Sequence, residues 1–289
     1  MTKQTTALKK AGELGILSYT NAEAAARNKR GILVVSFGTT YQKSRAKTID
    51  ALVAKVKAAY PDDIVISALS SHIIVNKIKT EENIIYPTPE EGIEKMLSIG
   101  VDRLAIIPTD IIPGIEYNYL RELFYEYRKH FSKITLGTPL MYYQGQSEMP
   151  NDIKNTMQAL ALAFPECFEM DAVLLMAHGT PHPANSYHAA MQLELWNLGY
   201  KNAFVYTVEG TPTIDNMLEL LQKRGILHIT LLPLMLVAGN HAHIDMLEHK
   251  ELLESKGFDV NAKLTGIGEN KKIQELYLAK AAAAIAELN

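Results

Sequence analysis

Residues 229–246 read ITLLPLMLVAGNHAHIDM. The stretch opens as an apolar run of strand length, breaks at Ala238-Gly239-Asn240, and resumes with a helical pattern in which Ile244 and Leu247 stand three apart. His241 and His243 therefore fall where a buried strand ends and a helix begins. In parallel α/β proteins ligands bind at that edge, beyond the carboxyl ends of the strands. A neutral imidazole there can bind a metal ion, and the positive end of a helix helps to keep it neutral. The helical spacing sets His241 and His243 on different faces, which predicts that His243 is not a primary ligand.

Two other stretches end in the same way. LLMAHGT (174–180) places His178 directly after an apolar run, and YTVEGTP (206–212) places Glu209 after a third. Three strand ends thus offer two imidazoles and a carboxylate. That set suits a borderline divalent ion such as cobalt, nickel, zinc or ferrous iron. Three protein ligands with an open position favour catalysis or transfer over a closed structural site. The competing reading is structural, since a lone histidine more often packs or lies on the surface; His130, His228 and His249 are assigned that role.

Outward from these segments the pattern is strand, helix, strand. Ile32 to Val35 is a continuous apolar run, as in a buried parallel strand. Ile49, Leu52, Val53 and Val56 follow at helical spacing, and Ile64–Leu69 reads as the next strand. Ile73–Ile78 reads as a short helix. Thr88-Pro89-Glu90-Glu91 is a helix start with N-cap, first-turn proline and capping glutamate. Leu104–Pro108 and Ile134–Leu136 are further strands, separated by a helix through Leu120, Leu123, Phe124 and Tyr127.

The second half repeats the plan, with strands at 172–176, 203–208 and near 260–264. Its helices are expected near 153–164, over 185–198, from Thr211-Pro212 onward, and at 273–288. VVSFGTT aligns with LLMAHGT, setting Phe37 opposite His178, Gly38 opposite Gly179 and Thr39 opposite Thr180. PTDIIPGIE aligns with PLMLVAGNH, setting Gly114 opposite Gly239 and Glu116 opposite His241.

The expected fold is therefore α/β: two similar doubly wound domains with parallel sheets, and the active-site cleft between them. The expected division is a leader over 1–30, helical or loosely ordered, an N-terminal domain over 31–140, and a C-terminal domain with the metal site over 141–269. The last helix, 270–289, can pack back on the N-terminal domain.

Composition limits the function. The 289 residues are 47% hydrophobic and 21% charged, as in a globular protein in water. A net charge of -3 without a long basic run gives no reason to expect nucleic acid. The single cysteine, Cys167, excludes an intrachain disulfide and fits a reducing compartment. The N-terminus lacks the apolar core of a signal peptide, and no window suits a membrane span, so a cytoplasmic protein is expected. Assembly as a homo-oligomer is compatible with all of this. Gly38-Thr39-Thr40 and Gly179-Thr180 could cradle phosphate, but neither matches a dinucleotide or Walker fingerprint. Ser36 lacks a nucleophile-elbow context.

LVVSFGTTY, LLMAHGT, VEGTPTID and LLPLMLVAGNHAHIDM, in that order, resemble the anaerobic sirohydrochlorin cobaltochelatases of the class II tetrapyrrole chelatases. The likeness runs from about Gly31 to the C-terminus. It implies two similar α/β domains with the tetrapyrrole between them, and metal ligands at His178, Glu209 and His241, the first also assisting ring deprotonation. It further implies that the metal is the substrate, Co²⁺ first and Ni²⁺ or Fe²⁺ as alternatives, with no organic cofactor. The tetrapyrrole would be sirohydrochlorin or precorrin-2, on the route to cobalamin.

The family pattern has Leu-His where this chain has Thr109-Asp110, and the stretch before Gly31 is longer than that pattern. The first half, with Phe37 in place of a ligand, is assigned the opposite wall of the cleft: Phe37 against the macrocycle and the backbone of Gly38 and Thr39 near its carboxylates. Glu116 either caps its helix or faces the tetrapyrrole across from His241, accepting a pyrrole proton or guiding the incoming metal. Lys43, Arg45 and Arg121 are candidates for the substrate's carboxylates. A carrier of metal or tetrapyrrole without turnover is the alternative from another class.

Overall fold

Strand β2 (Arg30–Ser36) lies at the centre of the first sheet because Ile32, Leu33, Val34 and Val35 are apolar on both faces and all buried. It pairs in parallel with β3 (Ile64–Leu69) and β4 (Arg103–Pro108), and β4 pairs in parallel with β5 (Lys133–Leu136). Leu33 and Val35 face Ile93, Met96, Leu120 and Phe124, while Ile32 and Val34 face Val53 and Val56. Those side chains come from helices α4 (Pro89–Ser98), α5 (Ile115–Tyr127) and α2 (Ile49–Ala59). Each such apolar side chain contributes about 1.5–3 kcal/mol when fully buried. The other helices of this half are α1 (Gln42–Lys47) and α3 (His72–Glu82). The capping box at Thr88 and Glu91 is present in both directions.

The second sheet has β6 (Asp171–Ala177) at its centre, between β7 (Ala203–Thr207) and β8 (His228–Pro233), with β9 (Asp259–Ala262) outside β8, all parallel. Its helices are α6 (Asp152–Ala161), α7 (Tyr187–Asn197), α8 (Ile214–Lys223) and α9 (Asn240–Ser255). The orders β3-β2-β4-β5 and β7-β6-β8-β9 are the same permutation of their halves, so the repeat in sequence is a repeat in topology. It extends to backbone detail. Gly38 and Gly179 both have positive φ, +107° and +86°. Gly114 and Gly239 cap α5 and α9 with φ of -89° and -88°.

This computed structural model describes residues 15–24, 27–146, 148–166 and 168–289, the side chains of 240 and 241 excepted. The first part of the stretch expected as a leader, 1–14, lies outside the described residues. Leu17–Thr20 is not leader: it forms β1, antiparallel to β5, from Leu17 opposite Leu136 to Thr20 opposite Lys133. Its burial alternates, as a strand at a sheet edge requires. Two helix starts also move. The helix expected from Thr211-Pro212 begins at Ile214, because Thr213 and Asn216 form the capping box. The helix expected from Asn185 begins at Tyr187, after a short 3-10 turn over Pro183–Ser186.

The last helix, α10 (Lys271–Ala286), joins the halves. Ile273 and Tyr277 enter the core of the second half, while Ala281, Ala284 and Ile285 lie on the first sheet. The Tyr277 hydroxyl donates to the Thr109 carbonyl, 2.8 Å away at the carboxyl end of β4. Among the described residues no helix is long and apolar enough to cross a membrane.

Candidate metal and substrate site

The loops that leave the carboxyl ends of the two sheets touch each other. The Tyr41 and His243 rings stack at 5.0 Å and 18°. Thr39 Oγ1 lies 3.2 Å from where a side chain on Gly239 would begin. The Asn118 amide and His182 Nε2 stand 3.0 Å apart. His182 Nδ1 accepts from the Ala184 N–H at 3.1 Å, so in the neutral ring Nε2 carries the proton and the amide oxygen of Asn118 is its fitting partner.

His178 follows β6 and Glu209 follows β7, and both side chains are more than half exposed. His178 Nδ1 is 4.0 Å from Glu209 Oε2, too far for a hydrogen bond, so the two side chains stand next to each other without being paired. The same nitrogen is 3.2 Å from the Gly179 carbonyl. A carbonyl only accepts, so Nδ1 carries the hydrogen there and Nε2 keeps its lone pair for a metal.

The two backbones are locked together. Glu209 N–H donates to the His178 carbonyl at 2.6 Å and Val208 N–H to the Ala177 carbonyl at 3.0 Å. A Cβ on Gly179 would stand 2.1 Å from the Glu209 carbonyl oxygen, so only glycine admits that approach. His241 is the second residue of α9, matching Glu116 as the second residue of α5; its side chain lies outside the described part. Among the described residues no three His, Cys, Asp or Glu side chains form a metal-holding group.

His243 is committed elsewhere. Its Nδ1 donates to the Gly239 carbonyl at 3.0 Å while its ring stacks on Tyr41. His243→Ala is therefore expected to lower Co²⁺ affinity by less than about tenfold, the low end of outer-shell effects, as read by titration with cobalt. A loss as large as that of His241→Ala would contradict this placement.

The first half presents a different set. Phe37 is 52% exposed at the position matching His178. Thr39, expected to offer its backbone to the substrate, is instead buried, its Oγ1 accepting from the Tyr41 N–H at 3.2 Å and its carbonyl from Arg45 Nη1 at 3.3 Å. Arg45, a candidate for substrate carboxylates, is 2% exposed: it forms a two-pronged ion pair with Glu82 and lies 5.5 Å from the Tyr86 ring centre. It is a structural cation of the first half. Lys43 is exposed.

Thr109 is also structural, its Oγ1 donating to the buried Ser36 Oγ at 2.8 Å. Asp110, the ionisable half of that departure from the family pattern, is the unforeseen residue. Its carbonyl accepts from the Leu140 N–H at 2.9 Å. Burial, and then the charge of Glu116, push its carboxyl up to about 7. Glu116 thus has a local partner, a second carboxyl. Tyr277 and Tyr117, buried beside the pair, are both raised by burial and remain neutral.

Folded Asp110 keeps a proton that the unfolded chain has lost, so its contribution to stability is full below about pH 4 and is lost as pH rises through about 7. The stability lost over that range is at most about 4 kcal/mol. Asp110→Asn is expected to raise the denaturation midpoint above wild type at pH 8, with the gain shrinking steadily as pH falls toward 4. Glu116→Gln, removing the second cause, is expected to move the wild-type pH transition downward. Identical pH profiles for all three proteins would contradict the coupling.

Elsewhere a cavity of about 620 Å³ is lined by Gln158, Leu162, Tyr200, Leu276 and their neighbours.

Residues 30–286 match the family described as cobalt chelatase (CbiK). The chain is 32% identical over 256 residues to the sirohydrochlorin cobaltochelatase of Salmonella typhimurium, covering 87% of this chain and 94% of that one. It is 28% identical over 273 residues to the sirohydrochlorin cobaltochelatase CbiKC of Nitratidesulfovibrio vulgaris, covering 90% and 92%. In structure it is similar to SirB from Bacillus subtilis with Fe³⁺, with a TM-score of 0.64 and 16% identity over 89% of this chain and 96% of that one, a likeness of fold.

Proposed function

The chain belongs to the cobalt chelatase (CbiK) family, and on that premise we propose that it inserts Co²⁺ into sirohydrochlorin on the route to cobalamin, with His178, Glu209 and His241 as the metal's ligands. The observation that carries the site is the juxtaposition of His178 and Glu209 at adjacent strand ends, 4.0 Å apart. His241 joins them by its place at the start of α9, the helix that follows β8 on the other side of β6.

Insertion breaks two pyrrole N–H bonds, forms bonds from the ring nitrogens to the ion, and releases two protons and the ion's water. Two imidazoles and a carboxylate replace part of that water and leave positions open for ring nitrogens. With Nδ1 of His178 holding a hydrogen toward Gly179 and Nε2 on the ion, this imidazole has no free lone pair while the ion is bound. A proton must then go elsewhere. Glu116, on the facing half, is the proposed acceptor, with the carboxyl of Asp110 beside it pushed up to about 7. The exposed Phe37 ring supplies the wall against which the macrocycle lies, with Gly38 and Thr39 buried behind it.

The test is absorbance of sirohydrochlorin in excess over the protein, with Co²⁺, Ni²⁺ and Fe²⁺ in parallel. Product beyond one equivalent, fastest with Co²⁺, supports the proposal. Binding that stops at one equivalent makes the protein a carrier, and a faster rate with another metal reassigns the substrate ion.

A further inference from the structure

Seven residues beyond His178, the chain turns back on itself, and one side chain from that turn reaches both metal-bearing loops. Asn185 Oδ1 accepts from the Thr180 N–H at 3.3 Å, in the loop that follows His178. Its Nδ2 donates to the Thr211 carbonyl at 2.9 Å, in the loop that follows Glu209. The loop backbones are also joined directly at His178 and Glu209, but only on the strand side. Asn185 closes the other side, so the two loops are held at two points and cannot pivot about one.

The amide is itself fixed. Asn185 N–H donates to the His182 carbonyl at 2.9 Å. The Asn185 carbonyl lies 2.9 Å from Nδ1 of His188, a histidine that burial keeps neutral. A carbonyl only accepts, so this His188 nitrogen carries the hydrogen. Gly210 completes the fit: a Cβ there would stand 2.7 Å from Asn185 Oδ1, so any side chain at 210 would push the amide out. The hook of the Glu209 loop is closed below by the Thr207 N–H and hydroxyl, both donating to the Pro212 carbonyl at 2.7 and 3.1 Å. Asparagine alone serves both loops from this place, offering one acceptor and one donor on a short, planar arm.

We infer that Asn185 is a positioning residue that sets the separation of His178 and Glu209 and so the geometry offered to the incoming divalent ion. It does not touch the ion; it acts through Glu209. The inference rests on the ligand assignment above. Outer-shell groups of this kind alter metal affinity by about 10–100-fold.

The experiment is a double-mutant cycle on the full chain, titrated with Co²⁺ alone and followed by cobalt d–d absorption, with melting temperature recorded for each protein. Asn185→Ala is expected to weaken Co²⁺ binding by at least about tenfold. Its cobalt spectrum is expected to approach that of Glu209→Ala. In the Glu209→Ala background, adding Asn185→Ala is expected to cost nothing further, because there is no carboxylate left to position. The shape-preserving Asn185→Asp keeps an acceptor for Thr180 and loses the donor to Thr211. It guards against a misfolded alanine variant, and its effect is likewise expected to vanish without Glu209. An equal loss of affinity with and without Glu209 would overturn the inference, since a general loss of stability behaves that way. If Glu209→Ala alone binds Co²⁺ as wild type does, the ligand assignment itself is wrong, and this role for Asn185 falls with it.

Discussion

Alanine in place of His178 is expected to lower cobalt insertion by about 10²–10⁴-fold, the range lost with a group that takes part in the reaction. No neighbour can substitute. Glu209 is already assigned to the ion, and His243 is engaged with Gly239 and Tyr41. The nearby His182 is tied to Asn118 and Ala184. The fold should survive, because the His178 side chain is half exposed and its ring hydrogen-bonds only to the carbonyl of its own neighbour Gly179 among the described residues. The matched control is His130→Ala, an exposed histidine at the far end of α5, expected to retain wild-type turnover. His249 would be a poor control: it is half-buried, with Nδ1 3.0 Å from the Tyr206 hydroxyl. Near-wild-type turnover of His178→Ala would remove the basis for the site.

Gly179→Ala is expected to do comparable damage without touching a ligand. The new Cβ would meet the Glu209 carbonyl oxygen at 2.1 Å and its carbon at 2.6 Å, both backbone atoms with nowhere to rotate. The φ of +86° adds strain of about 1–3 kcal/mol for any residue with a side chain. Either Glu209 moves away from His178 or the His178 loop retreats, and in both cases the pair no longer converges. Cobalt affinity should fall by at least about 100-fold, the upper range for groups behind the ligands. The equivalent change in the other repeat, Gly38→Ala, meets only the side-chain tips of Ile74 and Leu69 at 3.1 and 3.2 Å. It should cost stability through its backbone conformation and leave cobalt affinity intact. Equal effects on affinity at 38 and 179 would contradict the role given to this contact.

The strands at the sheet centres were legible because burial on both faces demands unbroken apolar runs, and 32–35, 104–107 and 172–176 supply them. The repeat was legible because Gly38 and Gly179 answer the same backbone need. β1 was not, since four alternating residues, Leu17–Thr20, carry little signal until β5 provides an edge to pair with. In the site, His178 and Glu209 stood out as ionisable residues directly after apolar strands. Asn185 did not, because its role depends on two backbone groups, Thr180 N–H and Thr211 C=O, whose meeting is a matter of loop geometry. Arg45 was misread for a related reason. A basic residue near the expected cleft looks available until Glu82, 37 residues on, is found closing over it. Asp110 was visible only as a departure from the family pattern; its raised pKa comes from burial that a sequence does not display.

The most direct measurement is a crystal structure of the protein soaked in Co²⁺. One ion is expected at the carboxyl edge of the second sheet, with an imidazole nitrogen of His178, a carboxylate oxygen of Glu209 and an imidazole nitrogen of His241 each about 2.0–2.2 Å away. His178 should bind through Nε2, its Nδ1 still directed at the Gly179 carbonyl. Cobalt seated anywhere else in the cleft, or held by His243 in place of His241, would contradict the account.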